Sequence, residues 1–183
     1  MPEKSTRLGP DDWFNTGFAA LSAQGPEALK AEPLARSIGA TKGSFYWHFK
    51  DVPEFKRRMA ARWEARALSA LADAAEQGGT PTQRLYRLGE VIAEATGPGS
   101  EEAAMRAWAQ GDDAARAAIA EVDRMRLAYL TAVLSQIGLS NPEFARIVYG
   151  AELGLGMLGG TDSKAARESV STLIAALVAL QDA

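Results

Sequence analysis

Residues 41–50 read Thr-Lys-Gly-Ser-Phe-Tyr-Trp-His-Phe-Lys, TKGSFYWHFK. Thr41 suits an N-cap, because its hydroxyl accepts a backbone N–H that a first helical turn cannot satisfy internally. A short helix is predicted to follow, over residues 42–49. At about 100° per residue, Phe45 and Phe49 fall together on one side of it. Lys42, Gly43, Tyr46 and Trp47 spread over another side, with Ser44 at its edge. The two phenylalanines can anchor on Phe18, Leu21, Leu34 and Ile38. The other face then carries a cation, a glycine that permits close approach, a phenol and an indole. Those groups meet phosphates and base edges.

Upstream, a helix is predicted from Asp11 to Gln24, with Trp13, Phe14, Gly17, Phe18 and Leu21 on one stripe and Gly25 as its stop. Pro33 suits the first position of a second helix, 33–38, closed by Gly39. Three helices of roughly 14, 6 and 8 residues, the last two joined across Gly39-Ala40, have the dimensions of a helix-turn-helix. Pro53 opens a long helix to about Gln77. Helices over 82–96, 101–110, 113–137, 142–158 and 163–181 follow, parted by GPGS, Gly-Asp-Asp, GLSNP and GGTDS. The fold class is therefore all-α: about nine helices, with an N-terminal helix-turn-helix domain at 1–52 and a C-terminal helical bundle at 53–183.

The composition narrows the function. A chain of 183 residues with no cysteine excludes disulfides, thiolate metal sites, Fe–S clusters and cysteine nucleophiles. The N-terminal MPEKSTRLGPDDW has no apolar core of the kind a signal peptide needs. The longest strongly apolar run, LIAALVAL at 173–180, is far short of the ~20 residues of a membrane span. A soluble, cytoplasmic protein is expected. The net charge of −3 is uneven, with 11 basic against 8 acidic residues over 1–66 and 9 against 15 over 67–183. A basic end on an acidic body suits a small module that meets a polyanion, although ordinary surface variation gives the same imbalance.

His48 is the one histidine. No second ligand stands at metal spacing, which leaves it a packed ring or a phosphate donor, and neither a cofactor nor a metal is expected. Trp47 is either a core side chain or, by its angular offset from Phe45 and Phe49, part of the outer face. The acid pairs Asp11-Asp12, Glu101-Glu102 and Asp112-Asp113 sit at helix starts, where the dipole favours them and capping is a sufficient account. Glycines 154, 156, 159 and 160 form no phosphate loop and suit close helix packing. Glu152 stands alone in the apolar run YGAELGLGMLGG. It reads as an ion-pair partner of an arginine at a dimer seam, as an exposed side chain, or as a polar contact for a cationic or hydroxylated effector.

The stretch 17–55, GFAALSAQGPEALKAEPLARSIGATKGSFYWHFKDVPEF, resembles the DNA-binding region of the TetR/AcrR-type transcriptional regulators, most of all in its YxHF core at Tyr46–Phe49. The resemblance spans about residues 10–60. It implies base-edge contacts from Lys42, Gly43, Ser44 and Trp47, and phosphate contacts from Thr41, Tyr46, His48 and Lys50. Departures fall at Lys30 and Ala31, where the family usually starts its second helix with threonine, at Glu32, often basic, and at Val52, in place of a second lysine. They imply modest affinity for nonspecific DNA. The resemblance also implies a homodimeric, ligand-responsive repressor on a palindromic double-stranded operator. A small molecule would enter the C-terminal bundle, tilt helix 53–77 and change the separation of the recognition helices, a coupling typically worth about 1–3 kcal/mol.

Dimerisation is expected through helices 142–158 and 163–181 as a four-helix bundle. The first has apolar or small residues on every side (Phe144, Ile147, Val148, Ala151, Leu155, Leu158), the mark of a helix buried all round. The second carries a stripe of Val170, Leu173, Ile174, Leu177 and Val178. An effector cavity is expected among Met59, Trp63, Leu88, Ile92, Met105, Trp108 and Tyr129, with Arg126 as a further polar group. That lining suits a hydrophobic or aromatic molecule. The same residues could instead simply fill the core. Two other readings stand beside this one: a helical-bundle enzyme or ligand carrier without DNA binding, and a DNA-binding protein whose bundle only dimerises. The first lacks any acid/base, nucleophile or metal constellation, so the chain is not expected to be an enzyme.

Overall fold

A computed structural model describes residues 8–97, 99–158 and 163–181. Among them are nine α-helices and no strand: α1 (Pro10–Gln24), α2 (Ala31–Ser37), α3 (Lys42–His48), α4 (Val52–Glu76), α5 (Pro81–Thr96), α6 (Glu101–Trp108), α7 (Asp113–Gln136), α8 (Pro142–Met157) and α9 (Ser163–Gln181). The expected breaks at Pro98 and at 159–162, including Gly159 and Gly160, lie outside the described residues. No helix of the described residues is long and apolar enough to cross a membrane.

Local chemistry starts most of these helices where the sequence places them. The side-chain oxygens of Thr41, Asp51, Thr80, Ser100, Asp112 and Asn141 each accept a backbone N–H from the first turn of α3, α4, α5, α6, α7 and α8. Gly39, at φ +66°, ends α2 and turns the chain toward α3. Two boundaries differ from expectation by two residues, and the others agree to within one. A 3-10 turn at Pro26–Ala28 precedes α2, which begins at Ala31, so Pro33 stands inside the first turn. Proline is tolerated there because first-turn N–H groups have no intrahelical acceptor. α6 ends at Trp108, two residues short of the expected Gln110, as its last carbonyls are taken by a tightening turn through Ala109 to Gly111.

The apolar side chains divide into two cores. The first joins α1, α2 and α3 to the front of α4, to α6 and to the front of α7, from Trp13 and Phe45 to Trp108 and Val122. Gly17 sets its tightest approach: a Cβ there would lie 2.7 Å from Cζ of Phe55 and 2.9 Å from Sδ of Met59. The second core joins the end of α4 to α5, the back of α7, α8 and α9, from Leu71 and Ile92 to Val148 and Leu177. On α7 the change from one to the other falls between Val122 and Leu130.

α8 is not buried all round, contrary to its composition. Ala145, Val148, Tyr149 and Glu152 face inward, while Ile147, Gly150, Met157 and Leu158 are exposed on a single chain. Within the chain, α5, α7 and α9 cover only one side of it. On α9, Val170, Ile174 and Leu177 are buried and Leu173 is half-buried; the side chain of Val178 lies outside the described residues. Gly156 packs closely, since a Cβ would lie 2.6 Å from the Thr96 carbonyl oxygen, whereas Gly154 faces open space.

Candidate nucleic-acid interface

Five aromatic rings hold α3 in place. Phe45 is fully buried and meets Trp13 edge-on at 5.3 Å, and Phe49 meets Phe14 at 5.5 Å and Phe55 at 5.0 Å. Burying two phenylalanines is worth roughly 1.5–3 kcal/mol each, enough to seat a helix of seven residues that would not form alone. The Arg58 guanidinium lies 5.1 Å over the Phe49 ring, and its Nη1 donates to the carbonyl of His48 at 3.4 Å, closing the C-terminal end of α3 against α4.

With Phe45 and Phe49 turned inward, the opposite face is left to solvent. Thr41, Lys42, Gly43, Tyr46, Trp47 and Lys50 are exposed, Trp47 to 66%, and Ser44 and His48 are half-buried. All eight residues therefore lie along one short helix and its two ends. The Trp47 and His48 rings meet edge-on at 4.7 Å. The Thr41 hydroxyl is engaged as the α3 cap, and the Lys50 backbone N–H donates to Glu54 Oε2 at 2.7 Å, leaving the Lys50 side chain in solvent. Lys30 and Arg36, nearby cations, are paired with Glu27 and Glu32.

Sequence reasoning missed an open groove of about 390 Å³ beside this module, lined by Val52, Pro53, Lys56, Arg57, Asp112, Asp113 and Ala114. It lies where α4 and α7 begin, residues far apart in the chain, and no local signal marks it.

The residues expected to line an effector cavity fall into two groups. Met59, Trp63, Met105 and Trp108 meet in the first core, together with Trp13 of α1. Leu88 and Ile92 are in the second core, and Tyr129 packs against it. Arg126 lies on α7 between the two sets and is fully buried.

Arg126 belongs to a buried ionic network that the sequence did not reveal. Its Nη1 and Nη2 donate to the two oxygens of Glu102 at 2.8 and 2.9 Å. Arg106 donates to Glu102 at 2.7 Å and to Asp123 at 2.6 Å, and the Tyr149 hydroxyl donates to Asp123 at 2.7 Å. Glu102 does stand in the first turn of α6, as expected, but the helix dipole is not a sufficient account of it. It is 3% exposed and fixes α6 to α7, while its neighbour Glu101 pairs with Arg66. Burial pushes the Tyr149 hydroxyl well above the ordinary phenol range. Glu152 is 6% exposed, so it is not the exposed side chain of one expectation, and among the described residues it makes no ion pair. Burial pushes its carboxyl up to about 7, against a smaller downward pull from Arg126.

Residues 15–51 match a family model described as bacterial regulatory proteins, tetR family. No curated protein matches the sequence. Solved structures do. A transcriptional regulator from Saccharomonospora viridis, in complex with choline, is 13% identical over 91% of this chain and 95% of its own, with a TM-score of 0.78. A transcriptional regulator from Rhodococcus sp. Rha1 is 19% identical over 93% and 96%, with a TM-score of 0.76. A TetR-family transcriptional regulator from Streptomyces coelicolor is 14% identical over 92% and 87%, with a TM-score of 0.76. Residues 15–51 are thus similar to the tetR family of bacterial regulatory proteins, and the chain shares the fold of the solved transcriptional regulators it resembles.

Proposed function

We propose that this chain is a homodimeric, ligand-responsive transcriptional repressor that binds a palindromic operator and leaves it when a small molecule occupies the C-terminal bundle. One observation carries the reading. α3 is clamped through Phe45 and Phe49 to the same core that holds Met59, Trp63, Met105 and Trp108 of the bundle. A shift of α4 or α6 therefore displaces α3, because close-packed cores transmit movement rather than absorb it. On the outer face Lys42, Gly43, Ser44 and Trp47 contact base edges, and Thr41, Tyr46, His48 and Lys50 contact phosphates. The domain division at 52/53 separates the reading module from the responding one, with α4 common to both.

The homodimer forms across α8 and α9. The exposed Ile147, Gly150, Met157 and Leu158 supply the apolar surface it needs, and a two-fold axis there sets two α3 helices about 34–36 Å apart. That the related Saccharomonospora viridis regulator was solved with choline supports a small-molecule ligand in this fold.

The test is to select bound sequences from the DNA flanking the chain's own gene and titrate the selected duplex at two salt concentrations. A palindromic site with steep salt dependence is expected. Absence of binding to any duplex would leave the enzyme or carrier reading in its place.

A further inference from the structure

Between the two cores, Glu102, Asp123 and Glu152 set three carboxylates against the two guanidiniums of Arg106 and Arg126. Glu102 and Asp123 are matched by the arginines. Glu152 is left over. It is 6% exposed, and its Oε2 is buried without a hydrogen-bond partner. Its Oε1 faces bare backbone on α5, where a Cβ on Gly89 would be only 3.1 Å away. Both Nη atoms of Arg126 are spent on Glu102, so Arg126 reaches Glu152 only as a more distant charge. One turn along α7, the Tyr129 hydroxyl is likewise buried and unpartnered. Burial that holds the carboxyl near 7 leaves it about half ionised at neutral pH, at a cost that a positive charge beside Oε2 would remove.

We propose that Glu152 is the counter-charge of an internal site, among α5, α7 and α8, for a small organic monocation: an amine or a quaternary ammonium. One unmatched carboxylate calls for one positive charge. The neighbouring positions in sequence, Leu88 and Ile92 on either side of Gly89 in α5 and Val148 one turn before Glu152 in α8, are buried residues of the second apolar core, which suits an organic body. A metal ion needs several oxygen ligands, and among the described residues no group of three ligating side chains exists. The site's regulatory meaning rests on the repressor reading. Glu152 acts on Arg126, Arg126 holds Glu102, and Glu102 belongs to α6, which packs against α1 of the reading module.

The full chain is titrated at pH 8 with tetramethylammonium chloride and with n-butylammonium chloride, followed by calorimetry. tert-Butanol and sodium chloride at matched ionic strength are the neutral and ionic controls. Saturable one-to-one binding of at least one organic cation is expected, weakened roughly tenfold or more in Glu152→Gln and partly retained in Glu152→Asp. Binding of neither cation overturns the proposal, as does equal binding by Glu152→Gln. If Glu152→Gln fails to fold, Gly89→Ala takes its place; it crowds Oε1 without removing the charge, and unchanged affinity there is equally fatal. Duplex binding by the wild-type chain is measured separately. Its absence would refute the repressor reading and leave the cation result standing.

Discussion

The guanidinium of Arg126 meets both carboxylate oxygens of Glu102, at 2.8 and 2.9 Å, with each side chain withdrawn from solvent. The pair ties α6 to α7 where the two apolar cores adjoin. Removing Glu102 strands the buried charge of Arg126, which costs about 3–5 kcal/mol, whereas replacing both with apolar groups of similar volume costs much less; without Arg126, Glu102 keeps its bond to Arg106. Glu102→Leu should therefore lower the free energy of urea unfolding by about 3 kcal/mol, and the double variant with Arg126→Met should recover part of that loss. A double variant as unstable as the sum of the singles would show that the pair does not act as a unit.

Glu152 gives the protein a pH dependence whose sign follows from its burial. Its folded carboxyl titrates at about 7 against an ordinary 4.5. Between those values the folded chain keeps a proton that the unfolded chain has released, so stability falls as pH rises through this window and levels off above it. The full effect is about 3 kcal/mol. Glu152→Gln should match the wild type near pH 4.5 and exceed it at pH 8, as read from urea unfolding at both pH values.

Gly17 tests the clamp between α1 and α4. A methyl group there would overlap the rim of the Phe55 ring, which is fully buried and cannot swing away. Gly17→Ala should cost about 1–3 kcal/mol by overpacking, despite the better helix propensity of alanine. A thermal melt showing the variant as stable as the wild type would mean that α1 can lift from α4 freely.

On α3, replacing Trp47 or Lys42 with alanine should reduce discrimination between operator and scrambled DNA by about 1–3 kcal/mol. Lys50→Ala should instead weaken both alike and flatten the salt slope by about one unit. Competition binding at two salt concentrations separates the two effects, and a Trp47 variant that discriminates as well as the wild type would remove Trp47 from the base-reading set.

Ile147 is half-exposed on α8, so an aspartate there leaves the protomer's own core intact. Ile147→Asp should sediment as a monomer at micromolar concentration, where the wild type should sediment as a dimer, and its melt should not show the loss expected of a core change. Aspartate at Leu177, which is buried within the protomer, should unfold the chain instead.

Much of this architecture is written locally. Caps, glycine stops and the three-to-four-residue apolar spacing act within one or two turns, so the nine helices and the outward face of α3 follow from the chain read in order. Phe45 on α3 and Phe49 at its C-cap settle the orientation of Lys42 and Trp47, because all four lie within two turns of chain. Pro33 misled for the same local reason: proline fits several first-turn positions, and only the path through Pro26–Ala28 selects among them. What the sequence alone could not decide is which polar residues meet. Glu102 reads as an ordinary helix-start acid until α7 brings Arg126, 24 residues away, against it. Nor could it show that Glu152 faces Gly89, or that Met59 and Trp63 fall in a different core from Leu88 and Ile92. Those pairings depend on how α5, α6, α7 and α8 lie across one another, and close packing between helices, unlike helix formation, is a property of the whole chain.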